Sequence, residues 1–455
     1  MGISMAFPPE DFDLFSFRRA VLGLAVFISF VILRIIGSAI YNLYSHPLSH
    51  VPGPFFSRAS NILNTLLARN GGIAPWLQAA HEKYGDVVRV APNEVSFISG
   101  EPAWQDIYGF HRGLYATPIN GTDNIIISNE ADHSRGLVGL LVGMLVSRLH
   151  EQVEGKYPVV DITRRYNHTT FDTITDLTFG EPLYCLRDKD NHPWVSMIFE
   201  SLKAARLMMA ARRFSAFVYI DKIMGFFIDE EILKRRRAEF SNLVSHKKNG
   251  VLALTKGRNG VERNNSAHSW KRNNCDDPFG LYVSCLDQLA RYTKVVEEVR
   301  GRFGGLVDIT IEKVNKLVCL LATLQETLRY CPPGPTGFAR IVPQGGDIVS
   351  GIYVPEGASV YMSQHTANHS KRNWTDPGTS TPERSLGDPK PFSFRLRNCL
   401  SKNLAYAEMR LIAAKVLFSF DLELGEESRE WLKDQKAFLV WEKLVLMVKL
   451  HPVQR

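Results

Sequence analysis

One cysteine of the chain lies in a setting that favours its thiolate form. Cys399 follows a turn-forming stretch and comes just before a long amphipathic segment, beginning at Asn403, that predicts a helix. The positive end of a helix dipole and the neighbouring Arg397 both stabilise a thiolate over a thiol. A thiolate is a strong ligand for iron. A lone cysteine is more often a small core residue, so this setting alone favours the core interpretation over an iron ligand.

A second set of charged residues lies upstream with helical spacing. Glu326 and Arg329 are three residues apart in LQETLRYCPP, so on a helix they share one face and can pair. Glu297 and Arg300 have the same spacing. The spacing by itself therefore does not select one pair over the other.

The stretch around the cysteine resembles the haem-binding loop of the cytochrome P450 monooxygenases. That loop reads Phe-x-x-Gly-x-Arg-x-Cys-x-Gly, and Phe392, Arg397 and Cys399 in PFSFRLRNCLSKNLAYAEMRLI (391–412) fall on its positions. The resemblance implies that Cys399 is the axial ligand of the iron of haem b and that Arg397 pairs with a haem propionate. A thiolate ligand pushes electron density onto iron and favours cleavage of the O–O bond.

Further motifs of that family occur in the family's order. Glu326 and Arg329 match its Glu-x-x-Arg helix, which two prolines end, and Arg384 in TPERSLGDP matches its next element. The resemblance implies a buried ion network of these three residues beneath the haem. Arg340 in GFARIVP matches another propionate-binding arginine, and His133 in ADHSRGLVG matches the first residue of a haem-contacting helix.

The resemblance covers most of the chain and is closest to microsomal fungal members that modify secondary metabolites. It implies a mostly α fold with small β sheets. It further implies a haem-thiolate monooxygenase that inserts one oxygen atom from O₂ into an apolar small molecule. The electrons would come from NADPH through an NADPH-cytochrome P450 reductase. The expected location is the endoplasmic reticulum membrane, with a single span and a cytosolic catalytic body.

Several positions depart from the family pattern. Arg395 stands where the haem loop has glycine, which brings a Cβ and a charge to a place where the backbone approaches the haem. Ser401 replaces the second glycine of the loop. Leu137 stands four residues after His133, where an arginine would reach a propionate.

The family's long central helix has no counterpart in the sequence. That helix carries an Ala/Gly-Gly-x-Asp/Glu-Thr stretch whose acid and hydroxyl relay protons, and no such stretch occurs here. Residues 277–300 join the segment before that helix almost directly to the segment after it, and GGLVDIT (304–310) has the letters without the spacing. The catalytic relay residues are therefore unknown, and we interpret the chain as a truncated or misassembled member. The alternative is a catalytically inactive remnant with weak or no haem binding.

The N-terminal part of the chain predicts a membrane anchor. Residues 20–44 carry one charge, Arg34, and about 20 apolar residues are enough to cross a bilayer core. A signal peptide is the alternative, but no small-residue cleavage site follows the apolar run. The predicted organisation is an anchor segment (1–45), a Pro-rich hinge (46–56) and a monooxygenase domain (57–455).

Hydrophobic periodicity predicts the elements that position these residues. It predicts a hairpin with a Pro-Asn turn, several helices, and a region of short strands with Gly and Pro turns. These segments are the hairpin at 86–99, helices at 194–209, 314–330 and 403–420, and strands at 340–361. The apolar region 194–227 fits either a substrate pocket or ordinary core packing.

Composition excludes several other classes of protein. Six cysteines in 455 residues, without C-x-x-C spacing, argue against a disulfide scaffold or a structural zinc site. The net charge of +7 is concentrated in residues 246–275, a strip rich in Asn, Gly and Ser that is typical of a solvated loop. We therefore expect no nucleic-acid partner.

Overall fold

The computed structural model describes residues 14–110, 131–155, 158–179, 182–188, 289–384, 390–393, 399, 401–438, 440–442 and 444–454. The predicted helix at 194–209, the apolar region 194–227 and the basic strip 246–275 lie outside these residues. So do Arg395 and Arg397 of the haem loop.

The described part of the chain is mostly helical, with three small sheets. The longer helices are α1 (Leu14–Ile40), α3 (Ile62–Asn70), α4 (Ile73–Tyr84), α6 (Ala131–Glu154), α7 (Ile162–Phe179), α9 (Leu289–Arg302), α11 (Val318–Tyr330) and α13 (Lys402–Ser419). Short helices are α2 (Phe55–Ala59), α5 (Glu101–Trp104), α8 (Cys185–Asp188), α10 (Ile311–Val314) and α12 (Gln364–Asn368), with π-helical turns at Tyr41–Ser45 and Gln105–Phe110. The strands are β1 (Val87–Ala91), β2 (Glu94–Phe97), β3 (Val159–Asp161), β4 (Arg340–Ile341), β5 (Asp347–Val349), β6 (Ile352–Val354), β7 (Ser359–Met362), β8 (Phe420–Leu424) and β9 (Met447–Pro452).

The predicted hairpin forms one sheet with β4 and β7 of the strand-rich region, whereas β5 and β6 pair with each other in a separate sheet. Strands β1 and β2 pair antiparallel around the Pro-Asn turn, with an irregularity between Arg89 and Ala91. Strand β7 then pairs in parallel with β2, and β4 pairs antiparallel with β7, which gives the order β1-β2-β7-β4. The hairpin and the short strands are confirmed.

The main apolar core lies among the long helices. Buried residues of α6, α9, α11 and α13 form one cluster together with β8 and β9. Helix α13 lies at its centre, because most of its residues from Ala405 to Ser419 are buried. The helix predicted at 403–420 is therefore confirmed within one residue at each end.

The helix predicted at 314–330 is in fact interrupted. Helix α10 ends at Val314 and α11 begins at Val318, and Leu317 between them is extended. The reason is a carboxylate from another helix. Glu298 of α9 accepts hydrogen bonds from the backbone N–H groups of Cys319 (3.0 Å) and Leu320 (2.9 Å). This contact satisfies the free amides of a helix N-terminus and starts a new helix there.

The first helix is long and apolar enough to cross a membrane. The stretch Val21–Ser45 has a mean hydropathy of 2.4, and no part of its most apolar window is buried by other described residues. An apolar helix whose surface is exposed in this way suits a lipid environment better than water.

The segment after this helix packs into the body. Leu48 and Val51 are fully buried, and the carbonyl of Pro52 accepts the backbone N–H of Arg89 at 2.7 Å. The guanidinium of Arg89 donates to the carbonyls of Asn42 (2.8 Å) and Leu48 (3.3 Å). The segment predicted as a hinge is therefore hydrogen-bonded directly to β1 of the first sheet.

Candidate functional site

Cys399 lies where a loop leads into α13, a helix whose residues are mostly buried. Its backbone N–H donates to the carbonyl of Phe392 at 2.8 Å, and its own carbonyl accepts the N–H of Lys402 at 3.2 Å. The side chain is half-buried and packs against the main core. Because α13 begins at Lys402, the thiol lies at the positive end of the helix dipole.

Phe392 fixes the other end of this loop. Its side chain is buried, and its ring meets the ring of Tyr406 edge to face at 5.1 Å between centroids. Tyr406 lies in the second turn of α13. Ser393, the next residue, has a φ of 66°, in the left-handed region that non-glycine residues rarely adopt. The loop is therefore held at Phe392 and at Cys399 by packing and by one backbone hydrogen bond between them.

The other haem-loop and haem-helix predictions stay predictions. Arg397 and Arg395 lie outside the described residues. His133 lies in the first turn of α6, and Leu137 lies one turn later; only the backbone of these two is described.

Glu326 and Arg329 form a buried, bidentate ion pair. The Nε and Nη2 atoms of Arg329 donate to the two carboxylate oxygens of Glu326 at 2.9 and 2.8 Å. The side chains of Glu326 and Arg329 are 4% and 1% exposed. Two parallel hydrogen bonds with both partners desolvated make this pair costly to break on one side.

The predicted third member of the set also reaches Glu326. Nε of Arg384 lies 3.7 Å from Oε1 of Glu326. The Nη atoms of Arg384 donate to the carbonyls of Thr375, Asp376 and Thr379. Arg329 donates to Thr379 as well, at 3.1 Å. The three charged residues therefore join α11 to the loop around 375–384.

The competing pair of the same spacing is used differently. Arg300 donates to the carbonyls of Leu417 and Phe420, each at 3.0 Å, and lies 2.8 Å from the carboxylate of Asp421. It thus ties α9 to the end of α13. Glu297 is exposed.

Two histidines beside the ion pair contribute packing. The rings of His365 and His369 lie 4.2 Å apart between centroids, and His365 meets Trp441 at 5.4 Å. Burial lowers the pKa of His369 and lowers the pKa of His365 much further. Both rings are therefore neutral at physiological pH.

Arg340 is a buried cation on a short strand. Its side chain is 2% exposed, and Cζ of its guanidinium lies 5.2 Å from the centroid of the Tyr108 ring. Tyr108, in the π-helical turn Gln105–Phe110, also donates from its hydroxyl to the carbonyl of Phe338 at 2.8 Å. No periodic pattern in the sequence indicates a role for Tyr108. The sequence shows only that it lies in AWQDIYGF, after the hairpin.

The GGLVDIT stretch serves a structural purpose. The hydroxyl of Thr310 accepts the N–H of Lys313 at 3.4 Å and caps α10, and Asp308 lies 3.8 Å from the Lys313 ammonium group. Both Asp308 and Thr310 are exposed to solvent. This acid–hydroxyl pair therefore does not line a buried oxygen site.

The described donor groups fit a haem with one thiolate ligand. A half-buried thiol at a helix N-terminus is the kind of ligand that a buried iron accepts. A deeply buried guanidinium such as that of Arg340 suits an anionic group such as a propionate. Both groups border apolar clusters, as a largely apolar cofactor requires.

Comparison with known proteins points to one family. A family model described as Cytochrome P450 matches residues 279–450. The cytochrome P450 monooxygenase lcsI of Purpureocillium lilacinum is 38% identical and covers 92% of this chain and 92% of its own length. The cytochrome P450 monooxygenase traB of Penicillium crustosum is 35% identical, over 91% of this chain and 94% of its own. The cytochrome P450 monooxygenase atr2 of Stereocaulon alpinum is 32% identical, over 98% of this chain and 99% of its own length.

These alignments are longer than the chain itself. They extend over 477, 483 and 504 positions, whereas the chain has 455 residues. In the first of them, 92% of the chain is about 419 residues, so about 58 aligned positions have no counterpart here. The relatives therefore contain internal stretches that this chain lacks.

Proposed function

This chain belongs to the cytochrome P450 monooxygenase family, and from that premise we propose that it is a haem-thiolate monooxygenase of fungal secondary metabolism. The proposed reaction inserts one oxygen atom from O₂ into an apolar small molecule. The observation that carries the proposal is the position of Cys399, half-buried at the N-terminus of α13 and fixed by the Phe392 carbonyl.

Five residues of this chain would hold the cofactor. We assign Cys399 as the ligand of the haem iron, and Arg340 and Arg397 as partners of the propionates. His133 would contact the haem from α6, and Phe392 from the Cys399 loop. When bound, the haem supplies the oxygen-activating chemistry, which a thiolate ligand favours. The buried Glu326–Arg329 pair, together with Arg384, would hold the structure behind the Cys399 loop.

We also propose the cellular setting that the resemblance implies. The apolar helix α1 supports an anchor in segment 1–45, with 46–56 connecting it to the catalytic body at 57–455. The body would lie on the cytosolic side of the endoplasmic reticulum membrane. There it would receive electrons from NADPH through an NADPH-cytochrome P450 reductase.

The proposal includes the loss of the central oxygen-activating helix. The internal stretches that the relatives have in excess support this. The solvent-exposed Asp308 and Thr310 offer no replacement for the relay. The same observations favour a second candidate, a catalytically inactive remnant that binds haem weakly or not at all.

The coupling of NADPH oxidation to oxygen insertion distinguishes an active monooxygenase from a catalytically inactive remnant. The full chain is reconstituted with the reductase in microsomes, and haem content, NADPH consumption and hydrogen peroxide are measured. Without the proton relay, we expect haem-dependent NADPH oxidation in which most of the electrons appear as peroxide. Tight coupling without peroxide would contradict the loss of the relay. No haem and no NADPH consumption above that of reductase alone would establish the remnant.

A further inference from the structure

Arg340 lies on a strand that is too short to hold it alone. Strand β4 has two residues, Arg340 and Ile341, which pair with Val360 and Ser359 of β7. Such a short ladder at the edge of a sheet leaves the side chain dependent on other contacts. Its guanidinium is nevertheless almost completely buried, so its position must be fixed by its surroundings.

Tyr108 supplies this support from a different part of the chain. Its hydroxyl donates to the carbonyl of Phe338 at 2.8 Å and accepts the backbone N–H of Met362 at 3.3 Å. Phe338 lies two residues before Arg340, and Met362 lies two residues after Val360, the strand partner of Arg340. One phenol therefore joins β4 and β7 directly beside their ladder.

The backbone beside this hydroxyl is closely packed. Gly337 has a φ of 71°, and a Cβ at this position would collide with the carbonyl oxygen of Met362. Such close approach requires glycine. The two chain segments that Tyr108 joins are thus held against each other at Gly337 as well.

The π-helical turn that carries Tyr108 is itself fixed. Asp106 accepts the backbone N–H of Ser350 at 2.9 Å, and Ile107 is fully buried. The ring of Trp104 packs against that of Tyr108 at 5.0 Å between centroids. A π-helical turn inside a helical segment often marks a functional position. The ring is therefore a rigid platform and not a mobile surface group.

The contact between the Tyr108 ring and the Arg340 guanidinium restrains the orientation of the guanidinium. Tyr108 meets Arg340 through its aromatic ring, with Cζ 5.2 Å from the centroid. An arginine carries its N–H donors in the plane of the guanidinium, so contact with a ring restrains the cation without using those donors. We propose that Tyr108 is a positioning residue that holds Arg340 in the orientation in which it binds a haem propionate. This inference rests on the proposed function.

The test uses the full-length haem-loaded protein and two substitutions of different severity. Tyr108→Phe removes the hydroxyl bridge and keeps the ring, whereas Tyr108→Leu removes both. The measurements are the rate of haem transfer to excess apomyoglobin and the reduction potential of the haem iron. We expect haem loss to accelerate about 5-fold for Tyr108→Phe, the equivalent of one hydrogen bond. For Tyr108→Leu, we expect an acceleration on the order of 150-fold, because the loss of one desolvated cation–π contact is added to the loss of the hydrogen bond.

The reduction potential distinguishes positioning from general loosening. Moving a cation away from the haem disfavours the added electron, so both variants should have a lower potential than the wild type. Tyr292→Leu is the matched control, since Tyr292 is also buried and its hydroxyl accepts the N–H of Leu422 at 2.9 Å. The control should lower the unfolding temperature and leave the potential unchanged.

A double-mutant comparison tests the route through Arg340. If Tyr108 acts through the guanidinium, Tyr108→Leu should produce no further shift of the potential in an Arg340→Met background. An equal shift in both backgrounds would overturn the inference and leave the proposed function standing, as would unchanged potentials for both Tyr108 variants. Failure of the wild type to bind haem would overturn both the inference and the proposed function.

Discussion

At the scale of single residues, the buried Glu326–Arg329 ion pair has the most predictable energetics. Arg329 uses all three of its nitrogens to bind Glu326 and backbone carbonyls, including Asn368 at 2.5 Å. Glu326 also accepts the N–H of Thr381 at 2.8 Å. A charge removed from such a set leaves its partners buried without compensation.

Substitution of Glu326 should therefore be severe. For Glu326→Gln, we expect the free energy of unfolding to fall by about 3–5 kcal/mol, because the Arg329 cation loses its buried counter-charge. The measurement is urea-induced unfolding of the detergent-solubilised chain. The control is Glu297→Gln, an exposed acid with the same spacing to an arginine, which should change the free energy by less than about 0.5 kcal/mol. Equal unfolding midpoints for the two variants would contradict the assignment.

The buried ring of His81 should make the folded protein less stable in acid. Its ring lies between the Gly85 carbonyl (2.7 Å) and the Ser96 hydroxyl (2.8 Å), and burial lowers its pKa to about 4. The unfolded chain binds a proton at this residue below about pH 6.5, whereas the folded chain does so only below about pH 4. Stability from this group is therefore complete above pH 6.5 and is lost as the pH falls towards 4.

The shift in the pKa of His81 sets the size of this loss of stability. The free energy of unfolding should fall by about 3 kcal/mol between pH 6.5 and pH 4. Unfolding of wild type and His81→Gln is compared at pH 7 and pH 4.5, with His50→Gln as the exposed control. The wild type and the control should lose more stability than His81→Gln over this interval. Parallel losses for all three proteins would refute the prediction.

At the scale of elements, the join between α1 and the body depends on two arginines. Arg89 is fully buried, and its guanidinium binds the carbonyls of Asn42, Leu48 and Pro92. Arg58 donates to the carbonyl of Ser49 at 2.9 Å. The carbonyl of Asn42, in the π-helical turn that follows α1, is thus bound by a side chain of β1, so the orientation of α1 is coupled to the first sheet.

The substitution Arg89→Met should weaken the contact between the end of α1 and the first sheet. We expect unfolding to become easier by at least about 3 kcal/mol, since several buried carbonyls lose a charged donor. We also expect faster hydrogen exchange of the backbone amides at 46–51. Hydrogen–deuterium exchange with mass spectrometry measures this, with the exposed Arg69→Met as control. Unchanged exchange at 46–51 would show that Arg89 does not hold the segment.

Elements with a local cause could be predicted from the sequence. The hairpin at 86–99 and the helix at 403–420 follow from alternation and periodicity within their own residues. The break before α11 could not be predicted, because it depends on the Glu298 carboxylate about 20 residues away. Nor could the role of Tyr108, whose hydroxyl bonds a carbonyl 230 residues away.

The candidate site shows the same division. The spacing of Glu326 and Arg329 predicts a pair, but the identical spacing at Glu297 and Arg300 could be told apart only by the resemblance. The structure separates them by burial, since the first pair is desolvated whereas Arg300 binds carbonyls and Asp421. Burial depends on tertiary packing, which no local pattern encodes.

At the scale of the whole molecule, family membership and catalytic competence are separate properties. The described residues include Cys399, the Glu326–Arg329–Arg384 ion network and the buried Arg340, to which the proposed function assigns the holding of haem. Under the proposed function, the internal stretches that the relatives have in excess concern oxygen activation and not haem ligation. We therefore expect that a chain of this kind would bind haem through Cys399 even where its electron coupling is poor.

The most direct test of this account is the Soret spectrum of the purified chain, reduced under carbon monoxide. We predict the band position characteristic of a thiolate ligand, lost in Cys399→Ala and retained in Cys319→Ala, which removes another half-buried cysteine. A thiolate-type band that survives in Cys399→Ala, or the absence of any such band in the wild type, would contradict haem ligation by Cys399.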